Sequence, residues 1–109
     1  MDEYAIIETI VRTADKLPRG YSEIGDDVAL VPLSRGSLVV KCDMLVSKTD
    51  VPAQMTHRQA ARKAVAMCVS DFAAKGVEPQ SYLVSLGLPR GFPDDGVVQL
   101  SKGFKDAST

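Results

Sequence analysis

Residues 56–76 read THRQAARKAVAMCVSDFAAKG, and this stretch decides what kind of fold the chain can adopt. Thr56 carries a hydroxyl suited to accept a backbone N–H at a helix start, and Gly76 tolerates the left-handed backbone on which helices commonly stop. Between them Ala60, Ala61, Ala64, Val65, Cys68 and Phe72 recur at helical spacing and make one apolar stripe, while Arg58, Gln59, Arg62 and Lys63 face water. The many alanines leave so little side chain that this helix is expected to sit close against a sheet.

The flanking sequence supplies that sheet. Upstream, VALVPL (28–33) and SLVVKCDMLV (37–46) are strand-like and are joined by Ser34, Arg35 and Gly36, which predicts an antiparallel hairpin. A loop holding Thr49, Asp50, Val51 and Pro52 leads on to the helix, and beyond the helix QSYLVSLGL (80–88) reads as a third strand. At the N-terminus, residues 2–16 place Ile6, Ile7, Ile10, Val11 and Ala14 on one helical face, and Pro18 and Gly20 break the pattern. Pro93, Asp94 and Asp95 open a last helix in which Val97, Leu100 and Phe104 are spaced to pack inward, and which still runs at residue 109. The resulting order predicts an α/β (α+β) fold: a small antiparallel or mixed sheet with helices on one face and exposed edges that want a partner.

With 109 residues, 45% of them hydrophobic and 25% charged, the chain is expected to be one small soluble domain spanning 1–109. A net charge of −1 supplies no concentrated basic face, so neither nucleic acid nor an acidic membrane surface is favoured as a partner. Cys42 and Cys68 are far apart and unpatterned, which points to reduced thiols and a cytoplasmic location. No apolar run reaches the roughly 18 residues of a membrane span, and the acidic N-terminus is unlike a secretory signal.

Three acidic positions fit their surroundings badly enough to suggest a site. Asp26 and Asp27 follow Gly25 in IGDDVALV, where on local grounds a plain Gly-Asp turn is the better account of them. Asp43 either interrupts a β-branched strand, with Lys41 on the same face to neutralise it, or opens a loop where the strand ends early. Asp71 stands near the negative end of the long helix, at the edge of the apolar stripe, and a surface pair with Lys75 is the bland account of it. A strand start, a strand and a helix end can nevertheless bring all three acids to one spot. Clustered carboxylates repel, and a hard cation such as Mg²⁺ bridging to phosphates is the usual reason to gather them. GxxxxGK[ST] and GxGxxG are both missing, so neither of those phosphate loops accounts for nucleotide chemistry. His57, Met44, Met55, Met67 and Tyr82 read as surface or packing residues rather than ligands.

The pieces IGDDVALV (24–31), KCDMLVSKTDVP (41–52), ARKAVAMCVSDFAAKGVEP (61–79) and SYLVSLGLP (81–89) stand in the order and spacing of one family. Over residues 20–90 the chain resembles thiamine-monophosphate kinases, above all archaeal ones, within the AIR-synthase-like superfamily of ATP-using enzymes. The resemblance implies a PurM N-terminal-like domain completed by homodimerisation, and transfer of the ATP γ-phosphoryl group onto thiamine monophosphate. It implies Mg²⁺ binding by Asp27, Asp43 and Asp71, nucleotide contacts around Asp27, Lys41, Cys42 and Asp43, and acceptor contacts at Lys48 and Asp50. Bacterial members carry hydroxyl residues before the strand acid, where this chain has Lys41 and Cys42, and a substrate-contacting histidine where it has Asp50. The family's later GGD and SDG motifs and its second domain have no counterpart before Thr109, so this polypeptide is not expected to turn over alone. The alternatives are another enzyme of the superfamily (AIR synthase, selenophosphate synthetase or the hydrogenase-maturation type) and a non-catalytic dimerisation module whose acids only cap turns. Selenophosphate synthetase is the weakest of these, because no reactive Cys or Lys stands near an N-terminal glycine-rich loop.

Overall fold

A computed structural model of the chain describes residues 2–23 and 25–108. Its elements are α1 (Glu3–Thr13), β1 (Ala29–Pro32), β2 (Ser37–Val40), α2 (Ser47–Asp50), α3 (His57–Ala74) and α4 (Asp94–Ala107), an α+β set with a two-stranded antiparallel sheet. They fall into two compact units, Met1–Cys42 and Asp43–Thr109, divided inside KCDML with no change of composition to mark the place.

In the first unit α1 is capped by Asp2, whose carboxylate accepts the Ala5 N–H at 2.8 Å. Ile6, Ile7, Ile10 and Val11 all remain exposed, so the apolar face expected from their spacing is present but buries no residue. The hairpin pairs Ala29 with Val40, Leu30 with Val39, Val31 with Leu38 and Pro32 with Ser37. Ser22 covers part of the outer edge of β1: its hydroxyl accepts the Leu30 N–H at 2.8 Å and its own N–H donates to the Leu30 carbonyl. Among the described residues the other edge of β2 carries no strand.

The second strand is shorter than expected, ending at Val40 rather than Val46. Continuing the register would set Cys42 across from Asp27 and Asp43 across from Asp26, but the partner chain has already turned there, and two carboxylates facing each other would repel. Asp43 is therefore a loop residue, the second of the two readings its position allows.

In the second unit α3 forms as its sequence dictates. Thr56 Oγ1 accepts the Gln59 N–H at 3.1 Å while the Gln59 side chain accepts the Thr56 N–H at 2.9 Å, a reciprocal capping box. At the other end Gly76 takes φ +69°, and the N–H groups of Gly76 and Val77 return to the carbonyls of Ala73 and Phe72. The stripe is the core: Ala60, Ala61 and Val65 are buried and Ala64, Cys68 and Phe72 half-buried. Lys63 is half-buried as well, not in water.

What covers the stripe is a helix, not a sheet. α3 packs on α4, whose buried positions are Gly96 and Gly103. A side chain at Gly103 would collide with the Arg58 carbonyl oxygen and come within 2.6 Å of Ala61 Cβ. Two small-residue faces thus bring the backbones into close approach, with Leu100 and Phe104 half-buried beside them and Val97 exposed. α4 ends at Ala107 with Ser108 as its cap, short of the run expected through residue 109, and Thr109 lies outside the described residues.

Residues 80–88 form no strand. Val and Tyr give the segment strand propensity, but a ladder needs a second backbone, and no described strand stands in its own unit. It is held instead by Tyr82, whose hydroxyl donates to the Phe104 carbonyl at 2.7 Å and lies 2.7 Å from Ser108 Oγ. Leu83 is fully exposed and Leu86 and Leu88 largely so.

Candidate metal and nucleotide site

Gly25 adopts φ +114°, a left-handed backbone that glycine tolerates readily, and so turns the chain immediately before its acidic pair. Asp26 Oδ1 then accepts the N–H of Asp27 at 2.7 Å, a local turn that leaves the Asp27 side chain exposed. The Lys41 ammonium reaches back from just beyond β2 to the Asp27 carbonyl at 3.3 Å. This contact explains why Lys41 sits half-buried and fixes a positive charge against the turn that carries Asp27. Cys42 is exposed with a free thiol. Beside this turn lies a hollow of about 240 Å³ walled by Leu17, Tyr21, Gly25, Asp26, Val28 and Leu30.

In the second unit Asp43 is exposed, and its Oδ1 accepts the N–H of Met44 at 3.0 Å. Residues 47–50, expected as loop, close into the single helical turn α2. Lys48 projects into solvent from that turn, and Asp50 is half-buried beneath it. Asp71 is half-buried near the C-terminal end of α3, where its carbonyl accepts the Lys75 N–H at 3.3 Å.

Asp27 stands in the first unit and Asp43 and Asp71 in the second. Among the described residues, neither unit by itself gathers three His, Cys, Asp or Glu side chains closely enough to hold a metal. As donors the three acids offer hard carboxylate oxygen, which fits Mg²⁺ and not a soft ion, and Asp27 and Asp43 are both open to solvent.

Two polar contacts on α3 have no signature in the sequence, because each partner lies on a different element. Arg58 grips Asp106 of α4 with two bonds, Nε to Oδ2 at 2.5 Å and Nη2 to Oδ1 at 2.8 Å. That hydrogen bonding holds the Asp106 carboxyl below the usual carboxylate range against a smaller opposing effect of desolvation, with the charges of Arg58, Arg62 and Lys105 adding to it. The same bond raises Arg58. Lys63, for its part, donates to the Asp50 carbonyl at 2.5 Å. His57, exposed at the start of α3, meets the Phe92 ring edge-on with centroids 5.0 Å apart, in keeping with a packing role.

The family model for the N-terminal domain of AIR synthase related protein matches residues 25–109. The chain belongs to the AIR synthase related protein family. Individual family members agree on a narrower name. The chain is 40% identical over 107 residues to the thiamine-monophosphate kinase of Nitrosopumilus maritimus, covering 98% of this chain and 32% of that protein. It is 41% identical over 85 residues to the thiamine-monophosphate kinase of Pyrococcus abyssi, covering 78% of this chain and 27% of that protein. With the enzyme of the same name from Mycobacterium tuberculosis it shares 32% identity over 94 residues, covering 85% and 28%. The chain thus spans about a third or less of the length of these AIR synthase related proteins. No solved structure matches it.

Proposed function

We propose that this chain is the nucleotide- and metal-binding part of a thiamine-monophosphate kinase, acting in the cytosol as a homodimer with ATP and Mg²⁺. The single observation that carries this reading is the 40% identity to the Nitrosopumilus maritimus enzyme over 98% of the chain. In the reaction, a phosphate oxygen of thiamine monophosphate attacks the γ-phosphorus of ATP, the bond from that phosphorus to the bridging oxygen breaks, and ADP leaves.

Such a transfer asks a protein for positioning and charge neutralisation more than for covalent chemistry. Mg²⁺, when bound, supplies neutralisation of the phosphate oxygens. Asp27, Asp43 and Asp71 are the residues that would hold it, and they come from a turn, a loop and a helix end, three places where backbone geometry is set independently of the ligand. Lys41 holds positive charge against the Asp27 turn, and in this reading it would, with Cys42, border the nucleotide. Lys48 is open to solvent on α2, and in this reading it would meet the acceptor's phosphate. A helix long and apolar enough to cross a membrane is absent among the described residues.

Thermal unfolding with Mg²⁺ and a non-hydrolysable ATP analogue tests the binding half of this reading. A ligand that binds only the folded chain raises its midpoint, with about 2.7 kcal/mol of stabilisation at a hundred times the dissociation constant. The expected result is a rise that needs both metal and nucleotide. An unchanged midpoint at saturating concentrations of both would favour a dimerisation module without nucleotide chemistry.

A further inference from the structure

The Ser47–Asp50 turn sits between Asp43 and the long helix, and its geometry is closed from two sides. Asp50 Oδ2 accepts the Val46 N–H at 2.7 Å, while the Val46 carbonyl accepts the N–H groups of Asp50 at 2.7 Å and Thr49 at 3.2 Å. Four residues of helix have no stability of their own, because nucleation costs more than one turn returns. The reciprocal pair supplies what is missing: the carboxylate satisfies the amide that opens the turn, as an acidic cap does at a longer helix. From the other side the Lys63 ammonium, half-buried on α3, donates to the Asp50 carbonyl at 2.5 Å. An ammonium normally reaches for water or a carboxylate, and here it bonds a backbone carbonyl in a half-buried setting and ties the turn to the long helix of the unit.

We propose that Asp50 is a positioning residue: with Lys63 it clamps the loop from Asp43 to Asp50, so that Asp43 and Lys48 are presented in fixed places, and its carboxylate serves the chain's own backbone rather than the acceptor. The functional half of this statement rests on the phosphotransferase reading. The clamp itself rests on the four hydrogen bonds.

The test combines amide exchange by NMR with the thermal response to Mg²⁺ and the ATP analogue, on the wild-type chain and on Asp50→Ala, Asp50→Asn and Lys63→Met. Loss of one hydrogen bond corresponds to exchange about 2- to 10-fold faster. Val46 is expected to exchange that much faster in Asp50→Ala and to recover most of its protection in Asp50→Asn, whose amide oxygen still accepts. Lys63→Met is expected to loosen Ser47–Val51. The ligand-induced rise in midpoint is expected to shrink in Asp50→Ala and Lys63→Met and to return in Asp50→Asn. The proposal is overturned if Val46 exchanges alike in wild type and Asp50→Ala, or if Asp50→Asn loses the ligand response as fully as Asp50→Ala, as a charge contact to a ligand requires. A wild-type chain with no ligand response rejects the phosphotransferase reading, and the exchange rates still decide the clamp.

Discussion

Asp106 and Arg58 are 48 residues apart in sequence and meet through two hydrogen bonds, which lowers the Asp106 carboxyl from its ordinary range. A carboxyl lowered in the folded state stabilises the fold above its unfolded value, about 3.9, and that contribution disappears as pH falls through the folded value. Unfolding midpoints of wild type and Asp106→Asn are therefore expected to differ at neutral pH and to converge below about pH 4, read by thermal melts from pH 7 to pH 2. A constant gap across that range would show that the ionised form of Asp106 contributes nothing. What could be read at this scale was local: Thr56 with Gln59 and Gly76 mark the ends of a helix by their own chemistry. Arg58 and Lys63 look like solvent-facing charges until the partner element is in place. Asp43 left two readings open because the end of a strand depends on its neighbour, and the turn at Asp26 and Asp27 takes that neighbour away.

Between elements, the decisive contact is the crossing of α3 and α4. The alanine stripe correctly announced a close approach, but alanines alone do not say what approaches. The answer lay in Gly96 and Gly103, seven residues apart on one face of α4, where helix propensity by itself counts glycine only as unfavourable. Gly103→Ala sets two effects against each other. Helix propensity favours alanine by about 1 kcal/mol, whereas overpacking costs about 1–3 kcal/mol. Here the colliding atom is the Arg58 backbone carbonyl oxygen, which cannot rotate aside as a side chain does, so the steric effect is expected to win. Urea unfolding should show a net loss of up to about 2 kcal/mol on that balance, and equal or greater stability would mean the helices lie farther apart. The same dependence on neighbours explains residues 80–88: strand propensity is a local property, but a ladder is not.

At the scale of the molecule, the apolar surface left outside is large for a small chain. Ile6, Ile7, Ile10 and Val11 on α1, Leu38 on β2, and Leu83, Leu86 and Leu88 in the extended segment are all exposed. Exposed apolar patches and an open strand edge are features that association commonly covers. Homodimerisation is accordingly expected. Light scattering at micromolar concentration should give about twice the 11.7 kDa of one chain, and a monomer at every concentration would reject a self-paired edge. The family and the α+β class were legible because four short motifs keep their order and spacing along the chain. Whether Asp27, Asp43 and Asp71 meet was not, because they stand on separate elements and no local pattern encodes it.

The central claim is that Asp27, Asp43 and Asp71 share divalent ions with the phosphates of a bound nucleotide. Its most direct measurement is a binding titration with Mn²⁺ as a spectroscopic substitute for Mg²⁺, followed by electron paramagnetic resonance in the presence of a non-hydrolysable ATP analogue. Wild type is expected to bind Mn²⁺ in a nucleotide-dependent manner, and Asp27→Asn, Asp43→Asn and Asp71→Asn are each expected to weaken it by at least about tenfold. Ion binding equal to wild type in all three variants would contradict the account.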